Sequence, residues 1–429
     1  MKNKSILIAW WVCALGAVFY AYEYLLRIAP SAMEFSLRSH FNLSATGFGL
    51  LSSIYYYAYV PMQVPVGVLM DRFGPRRLLT IACAICVIGS FLFCNTHDIS
   101  FAVTGRFLIG VGSAFAFVGV LKLATIWLPE NKLALVAGMT SALGTIGAMI
   151  GDNVLGEMIS HTGWQTTINE TAIFGIGLAI LLWFFIHDHK RDLNSGGTIS
   201  SFRKNMVDLN IILREKQIWI NGLFGCLVYL PTTVFAELWG IPYLAHAHGM
   251  SQTSAGFANS LLFCGFMVGA PLMGFISDSI RRRKPPMLVG ALGAAIVMFI
   301  ILYWPNLSEP AVYGLMFILG LFYSAQTIVF AVGRELSPSE AAGTAIATTN
   351  MIVMLGAMFL QPIIGRLLDW SVLLHANLRP AIDDLSLLPM AQVYSAVDYR
   401  FAMLIIPIGI VIAAFLTLFI RETHANAKS

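Results

Sequence analysis

Charge is what this chain has least of: only 11% of its 429 residues are Asp, Glu, Lys or Arg, against about 25% in an ordinary soluble domain. A water-soluble body of this size could not cover its surface with so few, so a soluble fold is excluded. The six cysteines (Cys13, Cys83, Cys86, Cys94, Cys226, Cys264) all lie in apolar runs, at no spacing that suits a disulfide framework or a zinc site. No glycine loop ending in Lys-Ser or Lys-Thr cradles a phosphate, which leaves direct ATP coupling unsupported. His-Glu-x-x-His and Gly-x-Ser-x-Gly are missing too, and the nine histidines are scattered. No enzyme activity, metal or organic cofactor is expected.

What is abundant is apolar length: 58% of the residues are hydrophobic. Runs long enough to cross roughly 30 Å of hydrocarbon recur at 6–33, 46–70, 78–96, 100–128, 133–159, 168–187, 216–245, 252–279, 286–304, 309–333, 340–370 and 398–420. The reading is all-α and polytopic, with twelve transmembrane helices. The first run follows Lys2 and Lys4, has no small-residue cleavage site, and is expected to stay as helix 1. With the N-terminus inside, nineteen of the 26 Lys and Arg fall in cytoplasmic segments and three (Arg38, Arg379, Arg400) in outer ones. That asymmetry puts both termini in the cytoplasm. The net charge of +4 thus reflects orientation and gives no support for nucleic-acid binding.

The longest polar connection, 188–215, contains Asn-Ser-Gly-Gly at 194–197 and divides the chain into 1–187 and 216–429, six spans each. The halves repeat. Gly67, Asp71, Arg76 and Arg77 match Gly274, Asp278, Arg283 and Lys284 at an offset of 207 (274 − 67). Pro129, Gly147-Ala148-Met149 and Gly156 match Pro338, Gly356-Ala357-Met358 and Gly365 at 209 (338 − 129). Two six-helix bundles in the same orientation are implied, with a solute path between them near the midplane. The long loop at about 371–397 carries no visible chemistry.

These residues resemble the major facilitator superfamily over the whole chain. Gly67-x-x-x-Asp71-Arg72-x-Gly74-Pro75-Arg76-Arg77 looks like its signature loop, and Gly274-x-x-x-Asp278…Arg283-Lys284 is the weaker copy, with Arg281 in place of the glycine. Arg106-x-x-x-Gly110-x-Gly112 is similar to a second motif. In helix 5, Asp152-Asn153 stands where the antiporter pattern has proline, which disfavours export. More narrowly, Phe19-Tyr20-x-Tyr22-Glu23-Tyr24-x-x-Arg27 and Glu237-Leu238-Trp239-Gly240-x-Pro242-Tyr243 resemble phagosomal amino-acid transporters of intracellular proteobacteria and lysosomal dipeptide carriers. The resemblance implies a monomeric secondary carrier in a bacterial inner membrane, with rocking-bundle alternating access. In the signature loops, Asp71 can pair with Arg76, Arg77 or a helix end, so that Gly67, Asp71, Arg72, Gly74, Arg76, Arg77, Asp278 and Arg283 form a conformational latch. Gly67 would let helix 2 approach its neighbour.

Charges inside the spans carry the rest. Tyr20, Glu23, Tyr24 and Arg27 fall at i, i+3, i+4 and i+7 on one helix face. A charge at that depth costs roughly 2.5–3.5 kcal/mol and marks a partner, a cavity or a solute. Arg27 suits a carboxylate, and Glu23 an ammonium or a proton; the alternative is a self-satisfied pair that only fixes packing. Arg106, by the resemblance, suggests proton coupling or anion contact, or else a structural partner for a helix 1 or helix 5 carboxylate. Asp152 is a second proton-carrier candidate, or a partner of Arg106. Tyr229, Thr233 and Glu237 are spaced four and four around Pro231, and Gln326 adds another polar candidate. The expected activity is proton-coupled uptake of a small zwitterion, an amino acid first. Dipeptide facilitation, siderophore or drug export, and a transport-inactive nutrient sensor remain alternatives.

Overall fold

The computed structural model describes residues 2–129, 132–187, 209–338, 341–374 and 394–424; the side chains of 2–6, Asp71 and Ala134 are not described. Most of 188–215 and of 371–397 therefore lies outside the described residues. Among those described, twelve long helical spans follow one another: α1 (Lys2–Ala32), α2 (Ala45–Phe73), α3 (Pro75–Cys94), α4 (Ile99–Trp127), α5 (Leu135–Thr162), α6 (Trp164–Phe185), α7 (Lys216–His248), α8 (Gln252–Ser279), α9 (Lys284–Tyr303), α10 (Glu309–Glu335), α11 (Ala342–Leu374) and α12 (Ala396–Leu416). A short helix, Glu34–Phe41, links α1 to α2. Their starts are written locally. Pro75 opens α3. Asp98 caps α4 by accepting from the Ser100 N–H, and Ser251 caps α8 by accepting from that of Ser254. Ser395 and Asp398 form a capping box at α12.

Eleven of the twelve are long and apolar enough to cross a membrane. The exception is α2, whose 29 residues suffice in length; Tyr55, Tyr56, Tyr57, Tyr59 and Gln63 lower its hydropathy. The outward faces are apolar, with Phe184, Phe275 and Leu373 exposed, as a multi-pass membrane protein requires. Non-α turns interrupt several spans: α5 holds a π-helical turn at Gly151–Leu155, α7 one at Pro231–Trp239, and α10 a 3₁₀ turn at Ser324–Thr327.

The chain forms two compact units, Met1–Arg27 with Ile54–Gly151 and Met158–Leu209, and Ile28–Ser53 with Asp152–Glu157 and Asn210–Ser429. The chain passes from one to the other at 209–210, within 188–215. Residues 28–53 and 152–157 nevertheless group with second-half helices. A hydrogen-bond reason is visible inside the second unit. Asp369 on α11 accepts from the N–H groups of Ala45 (3.1 Å) and Thr46 (2.9 Å), capping α2 from across the sequence, and Tyr394 donates to the same carboxylate.

In the first unit α3 packs on α4 and α6; in the second α8 packs on α10, and α7 on α11 and α12. The repeat shows in the packing. A Cβ on Gly110 of α4 would run into the Tyr55 carbonyl of α2, and one on Gly320 of α10 into the Leu262 carbonyl of α8. At both of these places only a glycine lets the two backbones touch.

Candidate functional site

The charged cluster of the first unit is built on α1. Glu23 and Arg27 stand one turn apart, with 0% and 4% of their surface exposed. Arg27 Nη2 donates to Glu23 Oε1 at 3.0 Å and Oε2 at 3.2 Å. Tyr55 of α2 closes a triangle: its hydroxyl accepts from Arg27 Nε at 3.0 Å and donates to Glu23 Oε2 at 2.9 Å. The guanidinium carbon lies 4.3 Å from the Tyr24 ring centre, 5.0 Å from Tyr59 and 5.3 Å from Tyr55. A buried charge needs this density of partners, since an isolated one costs several kcal/mol of lost hydration. Tyr20, expected on the same face, packs instead beside Phe117 (ring centres 5.3 Å apart) and over Gly144. Its ring meets Tyr24 edge-on at 6.0 Å.

Arg106 is placed by a proline. Pro30 has no N–H to offer the carbonyl of Leu26 one helical turn earlier, and Arg106 Nη1 donates to that carbonyl at 2.9 Å. Its Nη2 reaches the Arg27 carbonyl at 3.3 Å. Beside the alternatives of a coupling role and a carboxylate partner, Arg106 thus has a structural role at the end of α1. These Arg106 bonds go to backbone carbonyls of α1, and Asp152 bonds to Asn259 of α8. Pro30 at four residues from Leu26 was the sequence signal for this.

The second unit holds a cluster of a different kind. Asp152, 1% exposed, lies in the π turn of α5, and its Oδ2 accepts from Asn259 Nδ2 at 2.7 Å. The same nitrogen donates to the Ala236 carbonyl in the π segment of α7 at 2.8 Å. Gln361 of α11 donates to the Thr233 carbonyl at 2.8 Å, and Trp239 donates through Nε1 to the Gln361 carbonyl at 3.1 Å. A π register forms i→i+5 bonds; here two side-chain amides from neighbouring helices serve carbonyls of that segment. Glu237, 2% exposed, follows Ala236 directly and is the acidic neighbour whose charge Asp152 feels. Of the three residues spaced along α7, Tyr229 packs its ring near Phe266 and Tyr323, and Thr233 bonds the Tyr229 carbonyl of its own helix. Gln326 is buried in the 3₁₀ turn of α10. Asn259 and Gln361 were not singled out by sequence reasoning.

The two signature loops differ. In the second, Arg283 forks onto three partners: Asp278 Oδ1 and Glu335 Oε1, each at 2.6 Å, and Ser277 Oγ at 2.9 Å. Glu422 accepts from the N–H groups of Arg283 (2.7 Å) and Lys284 (3.1 Å). Although burial opposes it, these donors hold the Glu422 carboxyl below its ordinary range. Glu335 and Glu422, about 50 and 140 residues from Arg283, are latch members the sequence did not reveal. In the first loop Arg76 donates to the Trp183 carbonyl at the end of α6 (2.9 Å) with its guanidinium over the Trp183 ring. Arg72 lies near Phe73, Arg77 is exposed, and the Asp71 side chain lies outside the described residues. Gly74 takes φ 79°, which only glycine adopts easily, and Arg281 occupies the equivalent left-handed place at φ 51°. Gly67 corrects an expectation: nothing lies within 4 Å of the Cβ it lacks, so it permits no close approach here.

A family model described as "Major Facilitator Superfamily" matches residues 12–361 and 238–429. The chain is 24% identical over 377 residues to the "Probable galactarate/D-glucarate transporter GudP" of Escherichia coli (strain K12), covering 80% of this chain and 83% of that one. It is 23% identical over 283 residues to the "Probable sulfoacetate transporter SauU" of Cupriavidus necator, covering 63% and 65%. Among solved structures it is similar to "A Bacterial Homolog to Human Lysosomal Transporter, Spinster, in Inward-facing And Occupied Conformation", with a TM-score of 0.77 and 16% identity over 96% of each chain.

Proposed function

The chain belongs to the Major Facilitator Superfamily, and from that premise we propose that it is a proton-coupled carrier taking up a small zwitterion, an amino acid first, by alternating access. As a family member it is a membrane transporter and not an enzyme. The proposal places both termini in the cytoplasm of a bacterium, in its inner membrane, and takes the working unit to be a monomer.

One observation carries the substrate reading: a buried Glu23–Arg27 pair joined at 3.0 Å on a membrane-spanning helix. A zwitterion can replace that pair charge for charge. Its carboxylate takes Arg27 Nη2, for which the planar guanidinium is suited, while its ammonium takes Glu23. Each buried ion keeps an opposite partner throughout, so the loss of hydration is not met alone. Asp152 would carry the coupled proton, Arg106 would hold the end of α1, and Glu237 is a further substrate-binding candidate on α7. The Arg283–Asp278–Glu335 cluster would act as a latch that opens in the cycle.

A second reading takes a sugar acid as the solute, and the names carried by relatives such as the galactarate/D-glucarate transporter favour it. A carboxylate without an ammonium would leave Glu23 uncompensated, so this reading needs a proton on Glu23. A thermal-shift screen of the purified protein against amino acids, dipeptides and sugar acids separates the two, since a ligand at 100 times its Kd stabilises by about 2.7 kcal/mol. Stabilisation by amino acids, abolished in Arg27→Ala and Glu23→Gln, supports the zwitterion. A shift with galactarate alone overturns it.

A further inference from the structure

We infer that Asn259 is a positioning residue that ties the protonation of Asp152 to the backbone of α7. This rests on the reading of Asp152 as the coupling acid and deepens it. A single nitrogen, Asn259 Nδ2, donates to Asp152 Oδ2 at 2.7 Å and to the Ala236 carbonyl at 2.8 Å. The two acceptors lie in the π segments Gly151–Leu155 and Pro231–Trp239, and such bulges recur where helices carry function. Asn259 has no exposed surface. Among the described residues, Asp152 Oδ1 and Asn259 Oδ1 have no hydrogen-bond partner. The two N–H bonds of one amide are therefore shared between a titratable oxygen and a backbone oxygen, with Asp152 Oδ1 left to take a proton. There is no slack between the helices, since a Cβ on Gly256 of α8 would lie 2.8 Å from the Asp152 carbonyl.

The groups facing Asp152 define what it can respond to. From α7 comes the carboxyl of Glu237, and α8 presents the amide of Asn259. When Asp152 is ionised, Oδ2 is a charged acceptor and draws the amide, because charge-assisted hydrogen bonds are shorter and stronger than neutral ones. When Oδ1 takes a proton, that pull falls and the amide settles on the Ala236 carbonyl. The hold on α7 therefore changes one residue before Glu237. The setting of Glu237 would then depend on the proton at Asp152, although Asn259 itself does not carry that proton.

The test reads the backbone and needs no substrate. Amide hydrogen exchange of 231–241 is measured on the full-length protein at two pH values, each corrected for intrinsic exchange. In the wild type the corrected rate should rise about tenfold at the higher pH, the equivalent of one buried hydrogen bond. In Asp152→Asn and Asn259→Ala the response should vanish, and in Asn153→Ala, whose side chain donates to Ser260 of α8, it should persist. A response retained in Asn259→Ala, or absent from the wild type, overturns the proposal. Should Asn259→Ala fail to fold, Asn259→Ser, which cannot span both acceptors, takes its place. Proteoliposome uptake with and without a proton gradient is run in parallel: a wild type indifferent to the gradient overturns proton-coupled transport, whereas the exchange data alone decide the role of Asn259.

Discussion

The buried polar clusters around Arg27 and Asp152 treat charge in opposite ways. In the first unit Glu23 and Arg27 neutralise each other within one helix, and Tyr55 bonds both. In the second, Asp152 has an amide as its partner and an acid, Glu237, as its charged neighbour. The first is suited to exchanging one ion pair for another, and the second to gaining and losing a proton. Substitutions that look alike on paper should therefore separate the two clusters.

The largest effect is expected from Arg27→Ala. Removing one partner of a buried pair leaves an uncompensated charge, for a loss of about 3–5 kcal/mol. Thermal unfolding should show it, and adding Glu23→Gln should recover much of the stability without restoring uptake. Arg106→Ala comes next, at about 1–3 kcal/mol, the cost of leaving the Leu26 carbonyl buried without a donor. A double-mutant cycle with Pro30→Ala, which returns an N–H to α1, should shrink that loss; equal losses in both backgrounds would contradict the assignment. Asp152→Asn should unfold within about 1 kcal/mol of the wild type, since a neutral amide keeps a neutral hydrogen bond of that worth, while the proton dependence of uptake disappears. Smallest is the signature-loop pair: Arg281→Gly should stabilise by up to about 1–2 kcal/mol by relieving a left-handed backbone, and Gly67→Ala should leave stability unchanged in the same unfolding assay.

Much of this was legible from the residues alone because the signals were local. Apolar runs marked the spans, the offset of 207 marked the repeat, and Glu23 and Arg27 at four residues marked their own contact. The partners of Asp152, Arg283 and α2 were not legible, because Asn259, Glu335, Glu422 and Asp369 lie 52 to 324 residues away in the chain. The π turns were hidden for a related reason: their register is matched by Asn259 and Gln361, which belong to other helices. Arg106 sits between these cases, since Pro30 advertised a carbonyl in need of a donor without saying which helix would send it. The run at 46–70 marked α2 as a span, but not that its Tyr55 hydroxyl closes the first cluster.

The Glu422 cap means that the stretch after the last span is not a passive tail. Its carboxylate sits on the opening N–H groups of α9, beside the Arg283 fork. Because its folded carboxyl titrates below the ordinary 4.5, this anchorage is complete above that value and is lost as acidity increases through the lower folded one. A reporter fused behind residue 424 would leave the anchor in place, whereas trimming back to 421 would cut it. Expression screens that shorten carriers to their last hydrophobic residue would thus be altering the switch they set out to study.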